Sequence, residues 1–115
     1  MQVMHMNRKT GQMEPCVEHR LERGQIVMGI DGPAHEYDGV VLERVENGKW
    51  GTSCRILWID DLRVSGHQFI KPITERFGIG VYFYPGRLMP EEKIAELEKR
   101  FQEKERAEAL EAEKR

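Results

Sequence analysis

Two apolar runs flank Asn47-Gly48, and this arrangement constrains the chain more than any other stretch. Residues 38–61 read DGVVLERVENGKWGTSCRILWIDD. Asn-Gly accepts the two positive φ angles of a type I′ turn, so the stretch is expected to form a β-hairpin. With Asn47-Gly48 as a two-residue turn, Glu46 pairs with Lys49, Val45 with Trp50, Glu43 with Thr52 and Val41 with Cys54. Val41, Val45, Trp50 and Cys54 then share one face. Val40, Leu42, Gly51 and Ser53 take the other face, where Arg44 and Arg55 sit together. A one-residue slip would exchange the faces. The second strand ends in Ile56-Leu57-Trp58-Ile59, apolar on both sides, as in a strand covered twice or bent around a barrel.

The flanking segments supply further strands. Residues 25–30 (QIVMGI) and 78–84 (GIGVYFY) read as strands, the latter stopped by Pro85-Gly86. Residues 68–73 form a short strand broken or placed at an edge by Pro72. Residues 2–7 and 12–17 can pair as an N-terminal hairpin around residues 8–11. Residues 31–39 (DGPAHEYDG) are a loop by composition. Asp60-Asp61 and Ser65-Gly66 read as turns, and residues 74–77 as a turn or a single helical turn.

The last segment is a helix. Pro90 suits a first helical position, and Glu91-Glu92 favour the positive end of the helix dipole. Ile94, Leu97 and Phe101 form one apolar stripe, after which Lys104, Glu105 and Glu108 occupy the expected positions. The first half is therefore expected to dock, and the second to rely on weak pairs such as Glu96–Arg100, Lys99–Glu103 and Lys104–Glu108. The fold class is α+β: a small, strongly bent antiparallel sheet or barrel over residues 1–88, with a charged C-terminal helix over 89–115. A chain of 115 residues suits one domain.

The order of elements resembles the SH3-like small β-barrels, a superfamily that includes KOW and Tudor-like modules. The resemblance runs over about residues 22–73. It rests on Gly24-Gln25-Ile26-Val27, the 31–39 loop, Gly39-Val40-Val41, Asn47-Gly48, Ile56 to Asp60 and Phe69 to Ile73. It implies a closed, bent sheet whose ligand surface is the first long loop and the adjoining strand ends. That places His35, Glu36, Tyr37 and Trp50 at the site, with Arg44 and Arg55 on the neighbouring strands. The chain departs from peptide-binding SH3 domains in lacking a clustered acidic first loop with paired aromatics. It departs from ribosomal KOW modules in lacking a strong basic character.

Charge and motifs narrow the function. The net charge is −2, with nine acids against seven bases in residues 91–115 and eleven of each before them. No basic excess makes phosphate binding the default. Arg44, Lys49, Arg55, Arg63, Lys71, Arg76 and Arg87 are scattered, which keeps nucleic-acid association as the alternative reading. Cys16-x-x-His19 has zinc-ligand spacing, but a closed site needs four ligands and no second spaced pair exists. Asp31, His35, Glu36 and Asp38 concentrate polar groups without a named nucleophile, and adjacent Asp60 and Asp61 would point to opposite faces of a strand. The glycines of Gly78-Ile79-Gly80 open no helix and precede no Lys-Ser or Lys-Thr, so they form no phosphate loop.

These features name no catalytic residue, metal ligand or cofactor. A metal-dependent enzyme stays as a further alternative. The first twelve residues lack the apolar segment of a secretory leader, and no stretch is long enough to span a membrane. The reading is a cytoplasmic protein with reduced thiols. It is expected to be a non-enzymatic binding or regulatory module for a protein partner or small ligand, and its helix could support a homodimer. Small motif-poor chains of this type are common in phage and mobile elements, including inhibitors of host defence; no residue carries that origin.

Overall fold

A computed structural model describes residues 4–7, 9–15, 21–32, 35–48, 51–68, 70–73 and 80–114. In chain order the elements are β1 (Met4–Met6), β2 (Met13–Pro15), β3 (Gln25–Asp31), β4 (His35–Gly48), β5 (Gly51–Trp58), β6 (Arg63–His67), β7 (Ile70–Pro72), β8 (Gly80–Leu88) and α1 (Glu91–Glu113). β1 and β2 form a two-stranded ribbon; the other strands form one sheet in the order β6-β5-β4-β3-β8-β7. The sheet is strongly curled into a half-barrel with the helix on one face. The fold is α+β. Among the described residues, no helix is long and apolar enough to cross a membrane.

Period-two alternation splits the core into two layers. Val27, Val41, Cys54, Ile56, Trp58, Ile70 and Phe83 gather on the face turned away from the helix, with Leu21 against them. Val40, Leu42 and Leu57 gather on the other face with Met89, Ile94 and Leu97. This explains the doubly apolar run at the end of β5: the inner layer takes Ile56 and Trp58, and the helix covers Leu57. After the half-buried Phe101, the helix is exposed through residue 114. Arg23 fastens the helix start to the chain before β3. Its guanidinium donates to Glu91, to Glu98 and, at 3.1 Å, to the Leu42 carbonyl.

Several sequence expectations require correction. Residues 31–39 are not one long loop: β3 runs through Asp31 and β4 starts at His35, and Glu36, Tyr37 and Asp38 pair with Ile30, Gly29 and Met28. Their polar side chains lie on an exposed strand end, so composition mimicked a loop. The β4–β5 register also differs. Gly48 pairs with Gly51, Val45 with Ser53, Arg44 with Cys54, Glu43 with Arg55 and Val41 with Ile56. The register shifts between Val41 and Glu43 and again between Val45 and Gly48. Such bulges add a residue to one strand, which no two-residue turn anticipates. Val41 and Cys54 still share a face, but Arg44 and Arg55 occupy opposite faces because their cross-strand partners, Cys54 and Glu43, do.

Ser65-Gly66 lies inside β6 rather than in a turn. β8 continues past Pro85-Gly86 to Leu88, with Gly86 at φ 76°. The Gln25 amide nitrogen lies 2.8 Å from the Tyr84 carbonyl and 3.1 Å from that of Arg87, which anchors this irregular stretch. β7 pairs parallel with β8, so the sheet is mixed; Pro72, which has no N–H to donate, is accommodated on that edge. Pro90 is the helix N-cap rather than its first residue. Cys16, His19, Trp50 and residues 74–77 lie outside the described residues.

Candidate functional site

The corrected register brings the start of β4 against the end of β5. Gly39 stands opposite Trp58, and one step further the Ile59 N–H donates 3.0 Å to the Asp38 carbonyl. The chain then turns through residues 60–62. Asp60 Oδ1 accepts from the Asp61 N–H at 3.0 Å, and Leu62 adopts φ 51°. Between this turn and β4 lies a cleft of about 380 Å³ lined by Glu36, Tyr37, Asp38, Ile59 and Asp60. Glu36 and Asp38 share one face of β4 by strand alternation. Among the described residues, no cation pairs with Glu36, Asp38 or Asp60. The lining of the cleft is therefore rich in acidic residues, a composition that favours a cation over an anion.

A row of rings crosses the opposite face of the same strands. The centroids of His35 and Tyr37 are 5.3 Å apart, those of Tyr37 and Trp58 4.8 Å, and those of Trp58 and His67 5.6 Å. The last two contacts are edge-on, the arrangement aromatic quadrupoles favour. Two glycines make room for the rings. A Cβ at Gly29 would lie 2.3 Å from Tyr37, and one at Gly39 would lie 2.6 Å from Trp58.

The buried indole needs an acceptor. Trp58 Nε1 donates 2.7 Å to Ser65 Oγ, which lies 2.9 Å from His67 Nε2. Trp58 can only donate, so Ser65 Oγ accepts from it, and the Ser65 O–H can donate a hydrogen bond to Nε2 of a neutral His67. Burial favours that neutral form and pushes His67 below its ordinary value; nearby Arg63 adds to the effect. A serine and histidine at this distance have the spacing of a nucleophile and its base. Here the hydroxyl oxygen already serves the indole, and among the described residues no carboxylate orients His67. Satisfying a buried donor accounts for the pair. Among the described residues, no group of three or more His, Cys, Asp or Glu could hold a metal ion.

The sequence-predicted residues divide between locations. Glu36 and Tyr37 line the cleft, and exposed His35 stands beside them against Tyr37 and 4.0 Å from Asp31. Arg44 and Arg55 lie further along the hairpin and on opposite faces. Arg44 Nε donates 2.8 Å to Glu46, and Arg55 Nη1 donates 2.9 Å to Glu43. They form no joint basic surface, and Trp50 is outside the described residues. Sequence reasoning treated Asp60 with Asp61 as a turn and a poor acid/base pair. It missed Ile59 as a lining residue and Ser65 as the partner of Trp58. A register that set Gly39 opposite Trp58 would have signalled both groupings. Comparison with protein-family models, curated proteins and solved structures finds no match to the chain.

Proposed function

We propose that this protein is a non-enzymatic binding module that takes a basic side chain of a protein partner, a lysine or an arginine, in the cleft at Glu36, Asp38 and Asp60. The observation carrying the reading is that three of the five residues lining the cleft are acidic, with no cation paired to them among the described residues. A guanidinium can meet carboxylate oxygens with several donors at once. The location also agrees with the ligand surface expected for SH3-like barrels: the first connection and the adjoining strand ends. The same charge disfavours a phosphate backbone. The separation of Arg44 and Arg55 further supports a basic protein segment over a nucleic acid.

An NMR titration with acetyl-arginine amide, set against its neutral counterpart acetyl-citrulline amide, tests this reading. The arginine probe should shift the amides of Glu36, Tyr37, Asp38, Ile59 and Asp60, and added salt should weaken the effect. The citrulline probe should leave them in place. Equal responses to both probes, or no response to the arginine probe, would overturn the assignment.

A further inference from the structure

We infer that Lys104 and Leu62 are positioning residues for the cleft: the helix braces the turn that holds Asp60 in its wall. The inference rests on the cleft reading above and extends it to the element that sets the site's shape. Leu62 is the only described non-glycine residue with positive φ, at 51°. That conformation brings Cβ close to the following carbonyl, so a leucine adopts it only where its surroundings hold it. Two contacts provide the hold. The half-buried Leu62 side chain packs into the layer beneath α1 that contains Ile94, Leu97 and Phe101. One residue earlier, Lys104 Nζ donates 2.7 Å to the Asp61 carbonyl.

Lys104 continues the helical stripe at the next three-residue step after Phe101. The apolar stripe stops there because the helix meets a backbone carbonyl rather than an apolar surface. The brace acts through a short stretch of chain. Asp60 accepts from the Asp61 N–H, and Ile59 donates to the Asp38 carbonyl, so both walls of the cleft are tied to the turn. Releasing the Asp61 carbonyl and the Leu62 side chain would free Asp60 to leave the cleft while the strands on either side stay paired.

Lys104 is exposed enough for Lys104→Ala to fold, and Lys104→Arg retains a donor of similar reach. Amide hydrogen exchange on the free full-length chain reads the turn without a ligand, and acetyl-arginine amide reads the cleft. In Lys104→Ala, exchange at Ile59 should accelerate by about tenfold while Val41 and Ile56 exchange as before, the pattern of local opening. Affinity for the probe should fall in parallel, and Lys104→Arg should restore both. Leu62→Ala, which loses the packing but keeps the lysine, should accelerate Ile59 in the same way. Unchanged Ile59 exchange in Lys104→Ala, or acceleration spread equally over Val41 and Ile56, would overturn the brace. If the wild-type chain ignores the probe, the cleft reading fails, and the Ile59 comparison still decides the brace.

Discussion

Gly39 and Trp58 face each other across β4 and β5, and the indole occupies the space a side chain at 39 would need. A Cβ there would lie 2.6 Å from Trp58 and 2.8 Å from Ile56. Trp58 is 1% exposed and Ile56 is fully buried, so neither can withdraw into solvent. Gly39→Ala should destabilise the fold by about 1–3 kcal/mol, the usual cost of forcing volume into a packed core. Gly29→Ala makes the closer contact, 2.3 Å from Tyr37, but that ring is only half-buried and can swing outward. Urea unfolding should rank Gly39→Ala as the more damaging change; the reverse order would mean that the Trp58 side of the core is the looser one.

Among the described residues Trp58 is the largest fully buried side chain, and its N–H donates to Ser65 Oγ. Trp58→Ala should cost about 3–5 kcal/mol by cavity formation. Ser65→Ala leaves the indole donor buried without its acceptor and should cost about 1–3 kcal/mol. In a Trp58→Phe background the donor is gone, so Ser65→Ala should cost much less. A double-mutant cycle by chemical denaturation measures this difference; additive losses would show that the hydroxyl supports something other than the indole.

How the hairpin was legible shows where local signals stop. Asn47-Gly48 suggests a closed two-residue turn with Gly48 inside it, yet Gly48 belongs to the ladder and pairs with Gly51. Burial of Val40, Val41, Ile56 and Leu57 on two different layers set the register, and the bulges absorbed the mismatch with the turn. The helix was legible because Ile94, Leu97 and Phe101 repeat at a helical period without long-range help. Glu36 and Tyr37 were expected at a ligand surface only through the resemblance to SH3-like barrels. Their neighbours Ile59 and Asp60 required a register that spans twenty residues, and Ser65 required the location of a buried indole, neither of which local sequence encodes.

Acid should destabilise the fold partly through His67. Burial, and then Arg63, hold its folded value below 6.5. The unfolded chain therefore takes up this proton first as pH falls. The stability tied to neutral His67 is complete above about pH 6.5 and is lost progressively as pH drops through the folded value. Ser65, Trp58, Arg63 and, from the facing strand, Cys54 surround the ring, and none supplies a carboxylate to offset its charge. Between pH 7 and pH 5 the wild-type chain should lose more stability than His67→Gln. Parallel losses in urea-unfolding series would place the acid sensitivity elsewhere.

Arg23 should tie helix docking to ionic strength. Hydrogen bonds to Glu91 and then Glu98 raise its already high pKa further, and the bond from Arg23 lowers that of Glu91. Glu91 is exposed and Arg23 and Glu98 are each about a third exposed, so salt can screen these pairs. Arg23→Gln should lower the melting temperature modestly at low salt, and the gap from wild type should narrow as salt rises. A gap independent of salt would assign the effect to the lost contact with the Leu42 carbonyl instead.

The two halves of α1 should respond differently to truncation. Residues 107–114 are exposed, including Leu110 at 54%, and bury nothing in the sheet. Ending the chain after Arg106 should therefore change unfolding free energy by no more than about 0.5 kcal/mol, the range of ordinary surface changes. Ending it after Glu103 removes Lys104 as well and with it the donor to Asp61. Ile94, Leu97 and Phe101 remain docked in both cases, so the core should persist. The discriminating readout is amide exchange at Ile59: ordinary in the longer truncation, accelerated in the shorter one. Equal exchange in both would locate the support of the turn in Leu62 and Phe101 alone, while a large stability loss in the longer form would assign a packing role to the distal helix.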